Sequence, residues 1–191
     1  TVVTGMVSGK PQVLYLGDGR DEAALNGFWA WLGPEACARI KAISMDMSQS
    51  YQNSAQRYCP DAELIFDPFH LMKMLNKAVD EVRRYEAVMG TKADQSALKQ
   101  TRQMWLWGEG NLPERHATRF EALNDSTLKT ARAWRLKELW RTFKRCLDVD
   151  DAYAFFHKWY RLVMQSKLEP VKQVARTFKS HFAGIVSLFK H

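Results

Sequence analysis

The chain has 191 residues, 46% of them hydrophobic and 26% charged, enough for one domain or two small ones with a real core. No apolar run reaches the roughly 18–20 residues of a membrane span, and the first residues lack the layout of a signal peptide, so no membrane partner is expected. The net charge of +7 is uneven: residues 1–67 hold 5 Lys/Arg and 8 Asp/Glu, whereas residues 68–191 hold 23 and 13.

In chain order, TVVTGMV and QVLYLG read as strands joined by the turn SGKP, a hairpin. The next stretch, GDGRDEAALNGFWAWLG, opens with turn residues. Ala24, Leu25, Phe28 and Trp31 or Leu32 then follow at helical spacing, and Gly33-Pro34 stops the helix. A short helix around PEACARIK leads to the strand AISMDM. The helix SQSYQNSAQRYCP follows, with Ser48 or Ser50 as its cap, and then the strand AELIFDP. Strand, helix and strand across residues 42–67 predict a βαβ unit with parallel strands, which brings Asp46 and Asp67 to the carboxyl ends of those strands.

From residue 68 onward the pattern is helical. HLMKMLNKAVDEVRRYEAVM is a long amphipathic helix, DQSALKQTRQMWLW a second ended by GEGNLP, and PERHATRFEAL a shorter one. STLKTARAWRLKELWRTFKRCL, DDAYAFFHKWYRLVMQS and EPVKQVARTFKSHFAGIVSLFKH complete the set, with Asp150 and Ser166 available as caps. The expected architecture is α/β over residues 1–67 and a large basic all-helical part over residues 68–191. Both ends read as cut, so the chain is expected to be a fragment. Cys37, Cys59 and Cys146 are few and far apart, which fits neither a disulfide framework nor a zinc site and suits a reducing cytoplasm.

Asp46 poses the main chemical question, because a carboxylate at the end of an apolar strand needs a partner. One reading is a cap that accepts hydrogen bonds from the amides near Gln49 and Ser50. The other is a ligand for a hard divalent cation, which prefers carboxylate oxygens and phosphate. The basic clusters Arg83-Arg84, Arg132-Arg135-Lys137 and Arg141-Lys144-Arg145 are either solvated faces or phosphate contacts. Trp134, Trp140 and Trp159 sit at core spacing. Trp105 and Trp107 precede a turn, where one of them is expected to be exposed. His116, His157, His181 and His191 show no ligand spacing.

The segment from Met45 to Arg84 resembles the DDE transposases of bacterial insertion sequences, within them the ISL-three group. The match consists of Asp46 in MDM, Pro60 to Ala62, FDPFH at Phe66 to His70 and a helix ending DEVRR at Asp80 to Arg84. Upstream, TVV and YLGDGRDEAAL resemble strands and a helix of that family, and RLKELWRTF resembles a helix of its insertion. The resemblance implies a ribonuclease-H-like mixed sheet, here partial, interrupted by a helical insertion. It implies that Asp46 is the second carboxylate of a catalytic triad. Asp67 and His70 would match an auxiliary Asp-x-x-His element that shapes the site or contacts DNA. The first catalytic Asp and the Glu of an Asn-Gly-x-x-Glu-Gly-x-Asn motif find no match in the chain. Glu138 is the one substitute, and an ion pair with Arg141 or Arg135 explains it as well.

The intact protein would then be a cytoplasmic, nucleoid-associated bacterial enzyme. It would cut transposon ends and transfer the 3′-OH strand to target DNA with Mg²⁺ or Mn²⁺, as a homo-oligomer. The fragment alone is expected to bind no metal and to be inactive. The alternatives are a non-catalytic basic helical DNA-binding or assembly module on an α/β scaffold, and a nuclease or resolvase of the same broad fold.

Overall fold

A computed structural model describes residues 1–7 and 9–190. Ser8, in the expected hairpin turn, and His191 lie outside the described residues. The chain divides into two compact units, Thr1–Asp67 and Pro68–His191.

In the first unit, β1 (Val2–Val7) pairs antiparallel with β2 (Lys10–Leu16), with a register shift between Val3 and Thr4. The inner hairpin face carries Val3, Leu14 and Tyr15, which pack toward α1 (Glu22–Leu32); the Tyr15 ring meets Phe28 at 5.8 Å. Asp21 caps α1 by accepting the Ala24 N–H. Gly33 then adopts φ 83°, ψ 157°, a conformation that is essentially confined to glycine, and so lets α2 (Pro34–Cys37) turn away at once. Proline opens α2, where its missing N–H costs nothing.

β3 (Ala42–Met45), α3 (Gln49–Tyr58) and β4 (Glu63–Phe66) form the βαβ unit that the sequence predicts, with β3 and β4 parallel. The two strand pairs are separate two-stranded sheets among the described residues. Leu25, Phe28, Trp29, Cys37, Ala55 and Cys59 make the core between helices and sheets. Two buried polar groups there are paired: Trp29 Nε1–H donates to Ser54 Oγ, which donates to Asn26 Oδ1.

The second unit is helical throughout its described residues. α4 (Pro68–Met89) buries Leu71, Leu75, Ala78, Val79 and Val82 along one stripe. It packs against α8 (Lys129–Arg141) and α10 (Glu169–Ser180). The helix expected over residues 94–107 is two, α5 (Lys92–Leu98) and α6 (Arg102–Leu106). Gln100 between them has φ 60°, a left-handed conformation that ends a helix. α7 (Glu114–Asn124) follows. α9 (Val149–Gln165) is capped by Asp148, which accepts the Asp151 N–H, and not by the expected Asp150 two residues later, which lies inside the first turn. The last predicted helix also breaks, at His181, into α10 and α11 (Phe182–Val186). Trp134, Trp140 and Trp159 are buried, as their spacing predicts. No described helix is long and apolar enough to cross a membrane.

Candidate functional site

Parallel pairing sets the geometry of the acidic edge. Met45 and Phe66 are ladder partners and the last residues of β3 and β4, so the next residue of each strand, Asp46 and Asp67, leaves the sheet at the same edge. The Asp67 N–H donates to Met45 O at 2.9 Å and extends the ladder by one bond. Asp46 is half-buried, neither sealed inside nor on a helix. Its Oδ1 accepts the Ser48 N–H at 2.9 Å, an Asx turn that launches α3, while Ser48 makes no side-chain cap. The amide it satisfies is therefore that of Ser48, just before the expected Gln49 and Ser50. Oδ2 of Asp46 makes no hydrogen bond or ion pair among the described residues.

Two carboxylates at one sheet edge are hard oxygen donors of the kind Mg²⁺ or Mn²⁺ takes, usually with water and phosphate filling the other positions. The donor type fits; the donor number does not. Among the described residues, no three His, Cys, Asp or Glu side chains gather closely enough to hold a metal ion.

The other predicted residues fall in the second unit. His70 lies half-buried in the first turn of α4. Glu138 is occupied: its carboxylate accepts from Arg141 Nε at 3.1 and 3.2 Å and from the Glu109 N–H at 3.1 Å, with Lys137 Nζ at 3.4 Å. Lys137 is fully buried and donates to the carbonyls of Trp105 and Trp107 at 2.9 and 3.0 Å, which ties α6 and the turn after it to α8. Burial lowers its pKa to about 8, against the raising effect of Glu138.

Arg83, Arg84 and Arg102 converge on Asp80 at 2.8, 3.6 and 3.3 Å. Arg135 donates to the Asn124 carbonyl. Arg132, Lys144 and Arg145 present exposed side chains. Trp105 is fully buried, and Trp107, half-buried, has its ring beside His116 at 5.5 Å. Sequence reasoning passed over Asp80 as a hub, although its i+3 and i+4 neighbours were both arginine. It also passed over Glu86, which is buried on α4 and accepts from Lys129 N, Thr130 N and Thr130 Oγ1 at the start of α8.

A family model described as a transposase matches residues 1–191. The transposase for insertion sequence element IS1001 of Bordetella parapertussis is 29% identical over 187 residues, 94% of this chain and 45% of that protein. The transposase for insertion sequence element IS1557 of Mycobacterium tuberculosis is 34% identical over 84 residues, 44% of this chain and 18% of that protein, in each of two strains. The chain thus spans less than half the length of the curated relatives it matches. No solved structure matches. With the match running from end to end and the acidic edge where the residue pattern anticipated it, this chain belongs to the ISL-three group of the DDE transposases.

Proposed function

We propose that the chain is part of a transposase catalytic domain. Residues 1–67 are a partial ribonuclease-H-like core and residues 68–191 a basic helical insertion. The intact protein cuts DNA at transposon ends and joins the freed 3′-OH strand to target DNA, acting as a homo-oligomer in the bacterial cytoplasm. The observation that carries this reading is the shared edge of Asp46 and Asp67, one residue beyond the paired strand ends Met45 and Phe66.

Asp46 supplies one of the carboxylates that hold a divalent cation, and the strand behind it fixes where that carboxylate stands. When bound, such a cation stabilises charge on the attacking and leaving oxygens of the phosphodiester. The Ser48 N–H orients the carboxylate through Oδ1 and leaves Oδ2 for a ligand. Asp67 and His70 match the Asp-x-x-His element in sequence and are assigned as auxiliary residues. Glu138 already serves three donors, Arg141 Nε, the Glu109 N–H and Lys137 Nζ, and is not assigned a metal.

The second reading, a non-catalytic DNA-binding or assembly module, draws on the same Ser48 contact, since a turn alone accounts for one oxygen of Asp46. Asp46→Asn separates the two. Asn keeps an acceptor for the Ser48 N–H, so the fold and DNA binding remain. Strand cleavage by the transposase that carries this sequence falls by at least about a hundredfold if Asp46 holds the cation. Undiminished cleavage by the folded variant sinks the catalytic assignment.

A further inference from the structure

Asp80, on α4, is met by more positive charge than one carboxylate balances. Arg83 Nε and Nη2 reach its Oδ1 at 2.9 and 2.8 Å, and the two side chains are only 13% and 14% exposed. That pair is complete in itself, one guanidinium on one carboxylate. Two further guanidiniums nevertheless come to the other oxygen. Arg84 Nε lies 3.6 Å and Arg102 Nε 3.3 Å from Oδ2, with side chains 62% and 59% exposed. Three cations on one anion leave a local charge of +2. The adjacent carboxylate, Glu81, is engaged with Lys77 at 3.9 Å.

Arg102 arrives from another element. Left-handed Gln100 breaks the chain after α5, and Arg102, the first residue of α6, then meets α4. On the same junction, Arg119 of α7 is exposed and donates from Nη2 to Lys99 O at 2.8 Å. Exposed ion pairs add little to stability, so the fold gains little from the second and third guanidiniums. Their chemistry points outward instead. Arg84 and Arg102 both turn Nε to Asp80, and four of the five N–H donors of a guanidinium sit on its two terminal nitrogens. Among the described residues, no hydrogen bond takes up those terminal donors in either arginine. The carboxylate thus fixes two forks and leaves their ends for a ligand. Such forks match the oxygens of a phosphate.

We propose that Arg84 and Arg102, held by one oxygen of Asp80, form a site on α4 and α6 for a phosphodiester of the DNA backbone. The inference rests on the reading that the protein acts on DNA, and it adds a built contact to that reading. A phosphodiester carries one negative charge and is drawn to the remaining +2, since Arg83 already neutralises the carboxylate.

The test follows the fluorescence anisotropy of a labelled duplex oligonucleotide titrated with the chain between about 50 and 200 mM salt. Arg84→Ala should lower the slope of log affinity against log salt by about 0.9, and Arg84→Ala with Arg102→Ala by nearly two. Arg84 loses only an exposed ion pair at 3.6 Å, so the single variant keeps the fold and reads the site even where the double variant does not fold. Arg39→Ala with Lys41→Ala removes the same charge from exposed positions of the first unit and should leave the slope as it is. A slope unchanged in folded Arg84→Ala, or lowered as much by the Arg39 and Lys41 substitutions, overturns the site and leaves the DNA reading standing. A wild-type chain that binds no duplex overturns both.

Discussion

Glu86 is a buried carboxylate of the helical unit. It is 94% buried, yet both its oxygens are occupied by the two amides and the hydroxyl that open α8. The first amides of a helix have no partner within the helix, and the positive end of the helix dipole favours an anion there. A carboxylate four helices earlier in sequence thus does what a cap of α8 would otherwise do, since the N-cap residue is Leu128, which has no acceptor on its side chain. Glu86→Ala should destabilise the chain by about 2–3 kcal/mol in urea unfolding, and Glu86→Gln by roughly half as much, because an amide keeps only one acceptor. Equal stability of all three proteins would rule out this capping role.

Lys137 makes the opposite kind of prediction. Its folded-state pKa of about 8 lies below the ordinary 10.5, so between those values the unfolded chain binds a proton that the folded chain does not. Stability contributed by this residue therefore rises with pH across that window. The raised thiol of Cys59 works in the reverse sense above pH 9, so the comparison must be between proteins. Unfolding midpoints of the wild type and Lys137→Met at pH 8 and pH 10 should diverge, with the rise absent from the variant.

At the scale of elements, local chemistry shows what could be read beforehand. The hairpin, the βαβ unit and α4 were legible because apolar periodicity and punctuation agreed: Gly33-Pro34 closes α1, Pro60 follows α3, and Pro68 opens α4. The break between α5 and α6 was not, because Gln100 takes a left-handed conformation that nothing in its side chain advertises. The same holds for Lys167, φ 59°, which turns the chain from α9 into α10. Ser166 does not cap α10; its hydroxyl accepts the Leu168 N–H and donates to Val163 O, holding that turn.

A left-handed conformation costs an ordinary residue about 1–2 kcal/mol, part of which glycine returns as backbone entropy. Lys167→Gly should accordingly stabilise the chain by about 0.5–1 kcal/mol, seen as a higher unfolding midpoint. Loss of stability would mean that the lysine stem contributes more packing than its exposed position indicates. In the candidate site, Asp46 and Asp67 were legible from strand order alone. The burial of Lys137 was not, since it depends on contacts with residues thirty or more positions away.

For the whole molecule, charge is the property that belongs to neither a residue nor an element. All of the excess of basic residues lies beyond residue 67, and the structure separates two groups among those cations. Arg83, Lys137 and Arg141 are committed to Asp80, to buried carbonyls and to Glu138. Arg132, Lys144 and Arg145 extend into solvent on and just after α8. The second group can neutralise phosphates without first breaking one of those internal contacts.

If the proposed function holds, binding of the chain to duplex DNA should weaken steeply between about 50 and 200 mM salt, because each phosphate neutralised releases condensed counterions. Replacing Arg132, Lys144 and Arg145 together by alanine should lower the slope of log affinity against log salt by nearly three, at about 0.9 per contact. Alanine at exposed helical positions should leave the unfolding midpoint unchanged, so fluorescence anisotropy on the folded variant reads binding alone. A slope that stays the same would move the DNA-binding face away from the end of α8. Affinity that does not respond to salt at all would remove phosphate recognition from this chain, because a cationic surface that binds DNA through its backbone cannot escape counterion competition.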